Sequence, residues 1–192
     1  MIVHPASPAL RLFEPTDLDQ PVVRDVVGWV GDYLLRPHLD LGRAGPVCPY
    51  ARGSLQRGRL LVNVVEGAPT TAAELAFAIR PFRDWFLQLA PRESPDAAFT
   101  TIINAFPQLT DYTIVDETQR ALQRLFVHDG LMVGEFHDGP PDKPGLWNPH
   151  WRPLRSPVPL LAIRHMVASD LPFLAHSPDL VAVHRGLFAG AP

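Results

Sequence analysis

The sequence predicts an α/β (α+β) fold: a single two-layer domain whose mixed sheet of about four strands is covered by helices. Three observations predict it. Four short apolar runs, residues 60–65, 99–106, 131–136 and 160–167, are rich in β-branched residues and bounded by turn residues. Helical apolar stripes precede, separate and follow them. The length of 192 residues, 46% of them hydrophobic, suits one core over residues 1–192.

Residues 1–16 read as an irregular N-terminal arm. The first helix opens with Asp19 as cap and Pro21 in its first turn. Its stripe is Val23, Val26, Val27, Val30 and Leu34, and it ends before Pro37. Residues 37–58 form a Gly/Pro/Arg loop with a helical turn after Pro49. The strand 60–65 is closed by Glu66-Gly67. Thr71-Ala72-Ala73-Glu74 is a capping box, and the helix it opens carries Leu75, Ile79, Phe82, Phe86 and Leu89. Pro81 lies inside that helix and is expected to kink or split it. A third helix runs from about Ile114 to His128, with Gly130 as its stop signal. Residues 137–158 form a long Pro-rich loop before the last strand. Ser169-Asp170 caps a short turn, and Ser177-Pro178 opens a terminal helix. A loop of ~20 residues inside a compact domain is uncommon unless it is functional. Residues 37–58 and 137–158 are therefore the two regions to watch.

Composition removes several function classes. Net charge is −3 and no basic run exists, so no nucleic-acid partner is expected. Of 17 basic residues only Lys143 is lysine, leaving 16 arginines suited to planar, bidentate anion contacts. The 22 prolines are dispersed among apolar residues, which predicts ordered loops rather than a disordered tract. A single cysteine, Cys48, excludes an internal disulfide, an iron–sulfur cluster and a Cys-rich zinc site. Residues 1–14 lack a basic segment followed by a continuous apolar core, so they do not read as a signal peptide. No run of 18 apolar residues exists, so no membrane partner is expected and a cytoplasmic location is the simplest expectation.

The chemistry-bearing positions cluster in the two loops. Cys48 lies in Pro46-Val47-Cys48-Pro49, a stiff setting that presents a thiolate as an axial haem ligand or as a nucleophile. The competing reading is a buried free cysteine acting as a small hydrophobe. Arg43 and Arg52 are near in sequence and could stabilise thiolate charge. His137 follows a strand, and His150 lies between Trp147 and Trp151, which could line an apolar cofactor pocket or belong to the core. No histidine pair has metal-site spacing. Arg152, Arg155 and Arg164 could hold two carboxylates, or form surface ion pairs. No phosphate-binding glycine loop and no Gly-x-Ser-x-Gly elbow is present.

Two stretches carry a resemblance. Gly42-Arg43-x-Gly45-x-Val47-Cys48-Pro49-Tyr50 is the first. Asn148-Pro149-x-Trp151-Arg152-Pro153-Leu154-Arg155-Ser156-Pro157-Val158-Pro159, continuing through Ala162-Ile163-Arg164-His165-Met166, is the second. They resemble a bacterial family of unknown function. More distantly, over roughly residues 45–170, the layout is similar to the YqcI/YcgG family of haem proteins, which includes amino-acid N-hydroxylases. Asn148-Pro149-His150 with the following Leu154-Arg155 is the most specific match; Gly134-Glu135-Phe136-His137 is one residue longer than that family's Gly-x-His. The resemblance implies haem as cofactor, with Cys48 as the axial metal ligand and His150 or His137 as the catalytic distal group. It implies that Arg43, Arg152, Arg155, Arg164 and Trp151 bind the cofactor or a substrate carboxylate. The implied activity is a haem-dependent monooxygenase acting on a small amine or amino acid in a biosynthetic pathway, with an external electron donor. A non-catalytic haem or small-molecule binding protein, and a cofactor-free enzyme with Cys48 as nucleophile, are the alternatives.

Overall fold

The computed structural model describes residues 1–139, 148, 151 and 153–189. Four predicted strands form one sheet. They are β3 (Leu60–Val64), β4 (Thr101–Ala105), β5 (Leu131–Phe136) and β6 (Leu160–His165), in the order β3-β4-β6-β5. The β3–β4 pair is parallel; β6 runs antiparallel to both β4 and β5. Residues 1–16 are not an irregular arm. They form a hairpin of β1 (Ile2–His4) and β2 (Ser7–Leu12), and Phe13 exchanges backbone bonds with Val62 at the free edge of β3. The alternation in Ala9–Leu12 was too weak to signal a strand; β1 supplies its ladder, and the exposed β3 edge bonds only Phe13 beyond it.

The first helix, α1 (Pro21–Trp29), is capped by Gln20, not Asp19: Gln20 Oε1 accepts from Val22 N at 2.6 Å. It runs into a π-helical segment, Val30–Leu34. A short helix α2 (Ala51–Gln56) follows the Cys48 loop. Helix α3 (Ala72–Leu89) passes through Pro81 without a break. Pro81 and Phe77, four residues earlier, are both exposed, so the Phe77 carbonyl that loses its partner faces solvent. Helix α4 spans Thr113–His128, and Gly130 follows it with φ +71°. Short α5 (Leu171–Leu174) and α6 (Pro178–Leu187) complete the chain.

Strand alternation divides the core. Leu61, Ile102, Ile163 and Val133 face α3 and α4, where Ile79, Phe86, Leu122 and Phe126 close over them. The opposite face carries Leu60, Val62, Ile103, Ala105 and Leu160, packed under Val23, Val26 and Val30 of the first helical segment and Ala51 of α2. Helices thus lie on both sides of the sheet. A third cluster, with Val127, Met132, Leu174 and Leu180, seats α5 and α6 near the β5 edge. No described helix is long and apolar enough to cross a membrane.

Candidate functional site

The register of the sheet builds a hollow on the α1/α2 face. Reading across the strands, one row is Leu60, Thr101, Arg164, Met132; the next is Val62, Ile103, Ala162, Gly134; the third is Val64, Ala105, Leu160, Phe136. The middle row places Ala162 and Gly134 side by side, with Arg164 and Met132 before them and Leu160 and Phe136 after them. Two neighbouring positions with almost no side chain leave a depression that the flanking rows wall in.

Above it lies the Cys48 loop. The π-helical segment ends with Leu35 N donating to Val30 O at 3.0 Å, and it turns the Leu34 carbonyl toward the loop. Cys48 N donates to Leu34 O at 3.0 Å and Val47 N to Arg36 O at 2.9 Å, with Pro37 bridged to Pro46. Gly42 (φ +71°) and Gly45 (φ +96°) make the turns between these pairings. Arg43 braces the loop from within: Nη2 donates to Val47 O at 3.1 Å and Nη1 to Ala44 O at 3.3 Å. Cys48 is half-buried and, with Tyr50, Ala51 and Ser54, lines a cavity over the hollow.

The cavity's lining spans the sheet. Its floor crosses all four strands, about 14 Å, and follows β5 from Met132 to Phe136, about 13 Å. Yet the space in which a water molecule's centre can sit is about 140 Å³. The lining is mainly apolar, with Trp29, Leu34 and Leu154 at one end. At the β5 edge it reaches Gln119, Gln123 and buried Glu135. Gln119 Nε2 donates to Val133 O at 3.1 Å, closing the open edge of β5; Gln123 Oε1 lies 3.0 Å from His176 Nε2.

Arg164 is the fixed charge of the site. Its Nη1 and Nη2 grip Asp170 at 2.7 and 2.6 Å, and Nη1 also donates to His165 O at 2.9 Å. Asp170 is 3% exposed and also accepts from Val167 N at 2.8 Å. Burial works against the guanidinium charge, but the Asp170 pair outweighs it, and Cys48 and Tyr50 add to it, so the Arg164 pKa stands raised.

The two regions singled out from the sequence meet. Trp29 Nε1 donates to Arg155 O at 3.0 Å, Tyr33 Oη to Pro153 O at 3.2 Å, and Asn148 Nδ2 to Asp40 Oδ1 at 3.0 Å. His38 stacks on Trp151 at 4.9 Å, so Trp151 packs on this outer seam and is not among the described lining residues. Cys48, Arg164 and Leu154 share the cavity. Arg43 serves its own loop. Arg155 pairs with Asp138 at 2.7 Å on the surface, both more than 60% exposed, outside that lining. His137 is buried against Asp116, its ring lies tilted against Tyr112 at 4.9 Å, and it is also absent from the described lining. His150 and Arg152 lie outside the described residues.

Sequence reasoning missed Gln119 and Gln123, whose signal was two amides four residues apart on the buried side of α4. It also missed Ala162 and Gly134, which have no signal until the register makes them neighbours.

A family model described as a domain of unknown function, DUF6875, matches residues 23–191. The chain belongs to the DUF6875 family. Its matched span takes in most of α1, the Cys48 loop and all four strands of the central sheet, so the whole described cavity lies within the DUF6875 domain. No curated protein and no solved structure matches the chain.

Proposed function

We propose that this DUF6875 domain binds a flat, largely apolar group in the slot beneath Cys48, and that haem is the group. The observation that carries the reading is the mainly apolar cavity itself: its lining draws on all four strands of the central sheet, and the protein's one thiol lies in its covering wall. The fit to haem rests on this chain's residues. The width over four strands suits a macrocycle, the Ala162–Gly134 hollow leaves room for a ring, and Cys48 offers a thiolate donor. Arg164 supplies positive charge inside the slot, already shared with Asp170. The distant resemblance to the YqcI/YcgG haem proteins points the same way.

Haem held by a thiolate supplies oxygen activation. The chain's own residues bind, orient and exclude water. Leu34, Ile103, Leu160 and Phe136 keep the slot apolar. Gln119 and Gln123 present the polar groups that would orient a small amine or amino-acid substrate at the β5 end. The resulting activity is a haem-dependent monooxygenase drawing on an external electron donor.

The deciding experiment is the absorption spectrum of the purified, haem-supplemented protein, reduced and under carbon monoxide. The expected result is a Soret band at the position of thiolate-ligated haem, lost or shifted in Cys48→Ser. A colourless protein after supplementation would reject the haem reading. A second reading, Cys48 as nucleophile without a cofactor, is favoured by Arg164 sharing the cavity with the thiol. It predicts no Soret band and a Cys48 that reacts rapidly with small electrophiles.

A further inference from the structure

Resting on the reading of the cavity as a small-molecule site, we infer that Gln119 and Gln123 form an amide-recognition subsite at its β5 end, and that the ligand group seated there is an uncharged carboxamide. The substrate class narrows accordingly, to a small molecule carrying an amide, such as an amino-acid amide.

Sheet register places the subsite. Met166 N donates to Gly130 O at 2.9 Å, so in the antiparallel β5–β6 ladder Met132, Gly134 and Phe136 also turn their backbone groups toward β6. Leu131, Val133 and Glu135 turn theirs to the open edge of β5. Gln119 reaches that edge from α4, and Gln123 follows one turn later on the same helix face; both line the cavity. They are 5% and 8% exposed, so a hydrogen-bonding atom left unpaired on either is costly.

Each amide is pinned by one end. Gln119 Nε2 donates to Val133 O at 3.1 Å, which leaves Oε1 as an acceptor. Gln123 Oε1 lies 3.0 Å from His176 Nε2; a carbonyl only accepts, so the imidazole donates and the Gln123 NH2 is left as a donor. Neither of these remaining ends has a hydrogen bond among the described residues. Val133 N, on the open edge, has none either. One acceptor and its neighbouring donors, all uncharged, complement a single group that carries both an N–H and a C=O. A carboxylate lacks the donor and an ammonium lacks the acceptor. Either ion would also give up hydration without a counter-charge from these two side chains. Arg164, in the same cavity, is already held by Asp170. Glu135 also lines the β5 end, so a cationic amine is the competing occupant.

The test compares three flat probes of similar size on the full chain by NMR titration: benzamide, acetophenone and benzylamine. Acetophenone has the shape of benzamide but a methyl group in place of the NH2. Wild type is expected to bind benzamide about tenfold more tightly than acetophenone, and more tightly than benzylamine. Gln119→Met removes the acceptor for the probe's N–H and is expected to make benzamide and acetophenone equal. Gln123→Glu keeps an oxygen for His176 but replaces the donor to the probe's C=O, and is expected to weaken both. A role confined to holding β5 and His176 would leave the benzamide-to-acetophenone ratio unmoved. Equal wild-type affinities for those two probes overturn the inference without any variant having to fold. So does tighter binding of benzylamine, absence of benzamide binding at millimolar concentration, or a folded Gln119→Met that keeps the preference. The haem reading stands or falls separately: a missing Soret band rejects it and leaves the probe affinities untouched, and a Soret band without an amide preference rejects only the subsite.

Discussion

His137 Nε2 lies 2.9 Å from Asp116 Oδ1, joining the end of β5 to the first turn of α4 in a pair whose imidazole is 2% exposed. A carboxylate only accepts, so Nε2 is the donor, while Nδ1 has no hydrogen-bond partner among the described residues. The backbone of His137 is equally committed, to Leu154 O and Ser156 N. This residue holds the long loop to the sheet.

Asp116→Ala is therefore expected to cost stability, about 1–3 kcal/mol for an unsatisfied buried N–H. In a chain of this size that is a melting temperature lower by roughly 2–10 °C. Calorimetry checks this; an unchanged melting point would mean that the His137 N–H finds another acceptor.

His165 sets an acid limit. It is 4% exposed, its Nε2 donates to Ala90 O at 2.7 Å, and it packs edge-on against Phe86. Burial is the main cause of its lowered pKa, and Arg92 adds to it. The unfolded chain takes up this proton near pH 6.5, and the folded chain does so only at lower pH. The contribution is therefore intact above about 6.5 and is lost as pH falls below it. Melting temperatures compared at pH 7.5 and 5.5 should show a smaller gap in His165→Gln than in the wild type. An equal gap would assign the acid sensitivity elsewhere.

Gly53 is where α2 touches Phe99. A Cβ there would fall inside contact distance of two ring carbons, on a ring also covered by Arg57 at 4.5 Å and neighboured by Tyr50 at 6.4 Å. Alanine is the better helix former by ~1 kcal/mol. Overpacking by ~1–3 kcal/mol is expected to win, so Gly53→Ala should unfold at lower denaturant. A gain in stability would mean that the ring moves aside freely.

Ala162 tests the slot directly. It lies in the hollow beside Gly134 and is only half-buried because it faces the cavity. Ala162→Leu is expected to fill the space with a stability change within about 1.5 kcal/mol, and to abolish binding of a planar ligand. Haem titration followed by absorbance checks this; undiminished binding would put the ligand outside the hollow.

Periodicity and turn chemistry in the sequence by themselves determined the four strands of the central sheet, because each is a β-branched run closed by Gly, Pro or a helix cap, signals that act over a few residues. The same local logic determined α4 and its stop at Gly130, and marked Cys48 as held by stiff backbone. The hairpin of residues 1–16 was decided by tertiary structure, since β1 and β2 pair with each other and Phe13, just past β2, ties them to the free edge of β3. Pro81 was also decided there, because only its position on the solvent side lets α3 continue. The site was decided most of all by tertiary structure. Ala162 and Gly134 are 28 positions apart and become neighbours only through the β5–β6 register. Arg164, read from sequence as one of three clustered arginines, parts from Arg155: strand alternation turns it into the cavity, while Arg155 stays on the surface with Asp138. A slot is a relation between layers, and no stretch of one chain segment contains both its floor and its roof.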